Sequence, residues 1–291
     1  MNAAARRLMA VHAHPDDESS KGAGTYASYV RRGDEVMVVS CTGGERGDVL
    51  NERLPADALA MAARDLPGLR RKEMAAAQAV LGIQHRWLGY VDSGMAREDG
   101  SLPLNSFASI PLETSVAPLV KLIRSFRPHV LVTYDENGGY PHPDHIRAHV
   151  VGVEAYRAAA DPDRFPELGK PWQVSKLYYD RIFNGERIRA VLDALLAADP
   201  SSPLLDQLRQ MRSWMDDQPP LATTRVSVGD VLETRDAALR SHASQVAPDS
   251  AFFFWPNDIL RAAWPTEEFQ LIDSKVETEM PETDLFAGVR A

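Results

Sequence analysis

The sequence predicts an α/β fold: a Rossmann-like, mostly parallel sheet flanked by helices, with a smaller α+β lobe toward the C-terminus. Short apolar runs alternate with helix-period stretches through the first 160 residues, the signature of parallel strands joined by crossover helices. Two clusters of histidines and acids, Ala13-His14-Pro15-Asp16-Asp17-Glu18 and His142-Pro143-Asp144-His145, fall just past the first and last of those runs. In a doubly wound sheet of order 3-2-1-4 these two strands are neighbours, and ligands bind beyond their C-terminal ends.

Each element has its own warrant. Leu8 to Val11 is an unbroken apolar run, read as a buried strand over 7–13. Ala23, Tyr26, Ala27 and Val30 recur at helical spacing within 19–32, and Gly33 closes that helix. Val36 to Val39 marks a strand over 35–41, which enters the loop Thr42-Gly43-Gly44-Glu45-Arg46-Gly47. A helix over 66–81, a strand over 86–91, a helix over 112–126, a strand over 129–134 and a helix over 146–160 follow. Beyond residue 161 turn-rich segments weaken the pattern. Strands at 176–181 and 223–228, with helices at 188–198, 204–215 and 229–242, form the lobe expected to shape a substrate pocket. The expected divisions are a core over 1–165, the lobe over 166–273 and a loosely held acidic tail over 274–291.

Composition narrows the function classes. A chain of 291 residues, 44% hydrophobic, suits one large α/β domain plus a lobe. A net charge of -9 with no Lys/Arg run argues against nucleic-acid binding and points to small-molecule chemistry. The single Cys41 rules out an internal disulfide framework and fits a reducing cytoplasm. No stretch resembles a membrane span or a secretory signal. The expectation is a soluble, cytoplasmic protein with neither nucleic acid nor membrane as partner.

A buried strand does not end in an imidazole and three acids without a partner, because unpaired charge is costly to desolvate. A divalent metal is the simplest partner. His14 and Asp17 are three apart, as are His142 and His145, which puts each pair on one side of a turn. Pro15 and Pro143 suit a first helical position. Two histidines and one carboxylate leave an open coordination position, the pattern of catalytic zinc; iron(II) is compatible with the same donors. One ion per chain is expected. Asp16, beside the ligands, is the natural general base for water at the metal. Glu18 is expected to support a ligand histidine. His12, His85, His129 and His149 read as structural, Cys41 as a small buried hydrophobe, and 43–47 as a weak phosphate-loop candidate. His242, in Ser241-His242-Ala243-Ser244-Gln245, is a further oxyanion or substrate group.

The paired motifs resemble the LmbE-like zinc deacetylases, a family that includes N-acetylglucosaminyl-phosphatidylinositol deacetylases and the mycothiol enzymes. The longer stretches 9–23 and 133–145 look most like the mycothiol S-conjugate amidases, with further matches at 42–47, 87–94, 171–179 and 264–269. The likeness is weakest between 182 and 222. It implies that His14, Asp17 and His145 bind zinc, and that Asp16 deprotonates the attacking water and later protonates the amine. It implies that His142 stabilises the oxyanion, with Tyr140 helping. Arg70 and Asp92 match positions that hold sugar and inositol hydroxyls, and Lys21 is expected to face the acyl side. The implied substrate is a small pseudo-disaccharide thiol conjugate, cut at its cysteinyl-glucosamine amide to a mercapturic acid and glucosaminyl-inositol. Detoxification and natural-product maturation both use such a cut. The alternative is the deacetylase acting on N-acetylglucosaminyl-inositol. A homo-oligomer is compatible with either. A catalytically silent metal- or sugar-binding module would need Asp16 to be missing, and it is present.

Overall fold

The computed structural model describes residues 5–182, 184–215 and 219–290. Among these, seven strands form one sheet: β1 (Arg7–His12), β2 (Glu35–Thr42), β3 (Gln84–Tyr90), β4 (Val130–Thr133), β5 (Lys176–Asp180), β6 (Thr224–Ser227) and β7 (Thr266–Ser274). Their order is β3-β2-β1-β4-β5-β7-β6. The strands from β3 through β5 run parallel, while β7 is antiparallel to both β5 and β6. The helices are α1 (Asp17–Ser20), α2 (Ala23–Arg31), α3 (Ala56–Leu81), α4 (Leu112–Phe126), α5 (Pro143–Ala160), α6 (Gly185–Ala198), α7 (Leu204–Met215), α8 (Leu232–Ser241) and α9 (Asn257–Ala263).

The apolar run of β1 serves two layers, because successive side chains leave a strand on opposite faces. Leu8 and Ala10 pack with Tyr26 of α2 and Met74 of α3, whereas Met9 and Val11 pack with Val120 of α4 and Val151 of α5. Ala10 lies opposite both Val38 and Val132, so β1 is central and its C-terminal end meets that of β4. This is the switch point the alternation predicts.

Several elements differ from expectation. The helix expected over 19–32 is split at Gly22, whose φ of 108° favours glycine and whose missing Cβ leaves room for the Tyr26 ring. α3 starts well before residue 66 but loses helical geometry at Asp65, whose carboxylate accepts from Gly68 N at 2.9 Å. The 66–81 stretch is therefore its own helical run. α9 and β7 escaped the pattern. In β7 the buried positions include Glu267 and Glu268, so the strand lacks apolar alternation. Glu267 accepts from Gly24 N and Thr25 N at the start of α2, and Glu268 from Trp264 Nε1 and Thr266 Oγ1.

The strands expected in a separate lobe continue the core's own sheet through β5. Residues 166–273 add strands to that one sheet and the helical layer α6–α9, not a second sheet. The C-terminal tail is not loose: Glu282 is buried and accepts from Lys176 Nζ, from Tyr178 OH at 2.6 Å and from Thr224 Oγ1 at 2.7 Å. Leu285 and Phe286 are buried beside Tyr29. Among the described residues no helix is long and apolar enough to cross a membrane.

Candidate metal and hydrolytic site

β1 ends at His12 and the chain turns sharply. Asp16 takes a left-handed conformation (φ 107°), and its carbonyl accepts from Ser19 N and Ser20 N to start α1. Glu18 Oε2 accepts from Asp16 N at 3.0 Å, which helps hold that strained residue in place. Across the switch point, His142 caps α5: its Nδ1 accepts from Asp144 N at 3.1 Å, with Pro143 next in line.

The two turns converge. His14 Nδ1 lies 3.6 Å from Asp17 Oδ2, His145 Nε2 lies 3.3 Å from His14 Nδ1, and His145 Nε2 lies 3.5 Å from Asp17 Oδ2. A tetrahedral zinc with ligand bonds of about 2.0–2.1 Å separates its donors by about 3.3–3.4 Å, so this triangle fits such an ion. The outward-facing atoms are already engaged. His14 Nε2 meets Asp144 Oδ2 at 3.3 Å, and His145 Nδ1 donates to Gly138 O at 2.9 Å. Asp17 Oδ2 accepts from Tyr134 OH at 2.7 Å and from His14 N at 2.9 Å, and its other oxygen from Lys21 Nζ at 2.5 Å. Two further groupings share His14: one with His142 and His145, and one with Asp92 and Asp144 on the far side of the His14 ring. In the latter, Asp92 Oδ1 accepts from Gly94 N at 2.7 Å and Asp144 Oδ2 from Ser93 N at 2.8 Å, while Asp144 Oδ1 is buried without a partner; this pair reads as the support for His14.

Protonation follows from surroundings. Burial opposes ionisation of Asp17, but Lys21, His145 and His14 hold its carboxyl well below the usual carboxylate range. Burial pushes His145 down to about 3, leaving a lone pair on Nε2. His14 is also buried, but Asp144 and Asp92 lift it to about 10 without a metal, so an incoming ion displaces a proton. Asp16 is raised by burial, with the Arg70 guanidinium at 3.1 Å opposing. His142 is lowered by burial and by His14, so it is neutral, and its capping bond leaves the proton on Nε2. A ring nitrogen of His142 lies within 4.8 Å of donor nitrogens of His14 and His145. The Tyr140 ring stands 4.5 Å from that of His145 and is partly exposed at the rim.

The expected substrate contacts fare differently. Lys21 lines the site's cavity but spends its charge on Asp17. Arg70 is buried and donates to Pro15 O at 2.7 Å as well as to Asp16 Oδ2. Gly44 has to lack a side chain, because a Cβ there would overlap that guanidinium. Asp92 sits 3.8 Å from His14 Nε2. His242 is fully buried and bonds Glu18 Oε1 at 2.7 Å. Glu18 therefore supports the Asp16 turn and His242, not a ligand histidine. The 43–47 loop holds no free phosphate cradle, because Glu45 occupies the Gly43 amide. His12, His85, His129 and His149 make structural hydrogen bonds to Tyr26, Ser40, Arg7 N and Tyr134 O. Tyr134 and Asp144 were missed. Nothing marks Tyr134 before the fold carries it to Asp17; Asp144 was already in view within His-Pro-Asp-His.

A cavity of about 530 Å³ opens from Asp16, Asp17 and Lys21 toward α6, α7, α8 and the segment before α9. Its far wall is apolar and aromatic, with Ile188, Met211, Met215, Phe253 and Trp255. Ile188, Met211 and Met215 of that wall fall within residues 182–222.

Three comparisons bear on this geometry. The family model described as PIG-L, GlcNAc-PI de-N-acetylase, matches residues 9–156, which span both motifs. Over 288 residues, 98% of this chain and 97% of the relative, the sequence is 48% identical to a mycothiol S-conjugate amidase of Streptomyces coelicolor. It is 39% identical, over 98% of each chain, to the 1D-myo-inositol 2-acetamido-2-deoxy-alpha-D-glucopyranoside deacetylase of Geodermatophilus obscurus. The N,N'-diacetylchitobiose deacetylase of Pyrococcus horikoshii shares the fold, with a TM-score of 0.61 at 19% identity over 92% of this chain and 84% of the other. A donor triangle at a Rossmann-type switch point and full-length likeness to amide-cleaving enzymes lead to one conclusion: the chain belongs to the PIG-L (GlcNAc-PI de-N-acetylase) family of hydrolases acting on linear amides.

Proposed function

We propose that this chain is a zinc-dependent amidase that hydrolyses the cysteinyl-glucosamine amide of mycothiol S-conjugates, giving a mercapturic acid and glucosaminyl-inositol. The observation that carries this reading is the cavity beside Asp16, Asp17 and Lys21. An acetyl group needs little room, whereas a substituted cysteine needs a chamber of this kind. The higher identity to the amidase than to the deacetylase supports the same choice. A cytoplasmic setting, in detoxification or in maturation of a thiol-tagged product, belongs to the same reading.

His14, Asp17 and His145 would hold the ion. Zinc bound there supplies Lewis acidity toward the amide carbonyl and acidifies water. Asp16 accepts a proton from the attacking water, whose oxygen bonds to the carbonyl carbon. When the C–N bond breaks, Asp16 returns that proton to the glucosamine nitrogen. His142 donates its Nε2 proton to the oxygen that gains charge, and the Tyr140 hydroxyl assists from the rim. In this reading Arg70 acts by holding Asp16, and Asp92 by steadying His14, rather than on sugar hydroxyls.

The test is amine release by zinc-loaded protein from a bimane S-conjugate of mycothiol and, separately, from N-acetylglucosaminyl-inositol. The conjugate is the expected substrate, and Asp16→Ala loses about 10²–10⁴-fold in rate while keeping its zinc. Preference for the acetyl sugar would make the chain the deacetylase instead. No release from either would end the mycothiol assignment and leave the donor triangle to be explained.

A further inference from the structure

The cavity's wall carries two arginines that the hydrolytic site does not use, Arg187 and Arg235. Arg187 stands in the first turn of α6, where Asn184 Oδ1 accepts from the backbone amides of Glu186 and Arg187 at 2.9 and 3.3 Å. Gly185 lets this turn approach α7, since a Cβ there would lie 2.9 Å from Met215 O. The Arg187 residue is only 8% exposed, lines the cavity, and has its guanidinium 5.5 Å from the Trp255 ring. Its Nε is buried without a hydrogen-bond partner, and among the described residues its side chain makes no hydrogen bond or ion pair. The neighbouring Arg235 is different: it donates to Phe253 O at 3.0 Å and has Asp236 2.9 Å away.

An arginine stays charged in a protein, and burying it without an anion is expensive. The acids of the cavity's other end are committed, Asp17 to Lys21 and Asp16 to Arg70. Glu268 is the protein acid that Arg187 acts on most: its Oε1 is taken by Trp264 and Thr266, and its Oε2 is buried without a hydrogen-bond partner. Yet the two groups are not in ion-pairing contact, so Glu268 offsets the arginine's charge only at a distance. Trp255 faces the guanidinium, and the cavity that Arg187 lines is otherwise walled by aromatic and thioether side chains, Phe252, Phe253, Met211 and Met215, with the exposed Trp214 at its edge. The surroundings suit a flat apolar group, and the guanidinium suits a planar anion at its far end.

Resting on the amidase reading above, we propose that the acyl-side pocket selects aromatic S-substituents that bear a carboxylate, and that Arg187 is the residue that binds it. The substrate class is then an anionic aryl or arylalkyl thioether of the thiol, not a neutral one.

Two measurements test this. The first compares kcat/KM for mycothiol conjugates carrying S-benzyl and S-(4-carboxybenzyl) groups, in the zinc-loaded wild type, R187M and R187K. The second needs no turnover: quenching of Trp214 and Trp255 fluorescence by 4-(methylthiomethyl)benzoate and by benzyl methyl sulfide. The carboxylate is expected to improve both kcat/KM and fragment affinity by about tenfold or more, as a charge-assisted hydrogen bond does. R187M abolishes the preference, mainly through KM, and R187K retains part of it. Equal handling of charged and neutral ligands by the wild type would overturn the proposal even if R187M failed to fold. A preference that survives R187M would overturn it too, and would leave Arg187 as a water-bridged structural partner of Glu268. Fragment discrimination without turnover of either conjugate would keep the anion pocket and sink the mycothiol reading; turnover without charge preference would do the reverse.

Discussion

Residue by residue, the site depends on support as much as on ligands. His14 reaches Asp144 with one ring nitrogen and faces Asp17 and His145 with the other, so Asp144 fixes which nitrogen is free. Asp144→Asn is expected to weaken zinc affinity by about 10–100-fold, read by competition with a chromophoric chelator. Unchanged affinity would mean that the His14 ring is held by packing alone. Gly138 plays a comparable part for His145: its carbonyl accepts the Nδ1 proton, its φ is +71°, and an added Cβ would run into His145. Much of this was legible from the spacing of His-Pro-Asp-Asp and His-Pro-Asp-His. The substrate assignments were less so, because Arg70, Asp92 and His242 are polar residues whose hydrogen bonds go to other parts of the chain.

Among the elements, β5 and the tail are tied by a buried charge pair. Lys176 on β5 donates to Glu282, which also accepts from Tyr178, Thr224 and Thr278, all near the sheet's far edge. Burial opposes its ionisation, yet these hydrogen bonds hold Glu282 below its ordinary value of 4.5. A carboxyl whose folded pKa is depressed stabilises the fold above its unfolded value and loses that contribution as pH falls through the folded one. Glu282→Gln strands the Lys176 ammonium and should cost about 3–5 kcal/mol at pH 7 in urea melts. The gap between wild type and variant should narrow as pH drops below 4.5. A gap that held constant into acid would assign the loss to packing instead. Charge of this kind hid the C-terminal elements from periodicity: β7 buries two glutamates, and the tail reads as an acidic run until Glu282 finds its partners.

At the scale of the whole molecule, continuity of the sheet decides cooperativity. β5 joins β4 on one side and β7 on the other, so the C-terminal third has no sheet of its own to keep when the core melts. Calorimetry is expected to show one unfolding transition, and two resolved transitions would contradict this. On the proposed reading the folded triangle holds the ion and the open chain does not, so chelation should lower Tm while leaving a single transition. An unchanged Tm on chelation would count against the metal site itself.

The parallel core and the meeting of the two motifs are legible in the chain's own pattern, whereas the donor set is what the family resemblance adds. Strand alternation and the switch-point rule are local or topological facts, and strand order brings residue 14 to residue 145 without further help. What surrounds that centre follows from the folded arrangement alone. Whether a buried acid is a ligand, a cap or half of an ion pair depends on partners that lie far away in the chain, such as Tyr134 for Asp17, His242 for Glu18 and Lys176 for Glu282. The aromatic cavity is likewise assembled from three helices and a loop, none of which has a periodicity that announces a pocket.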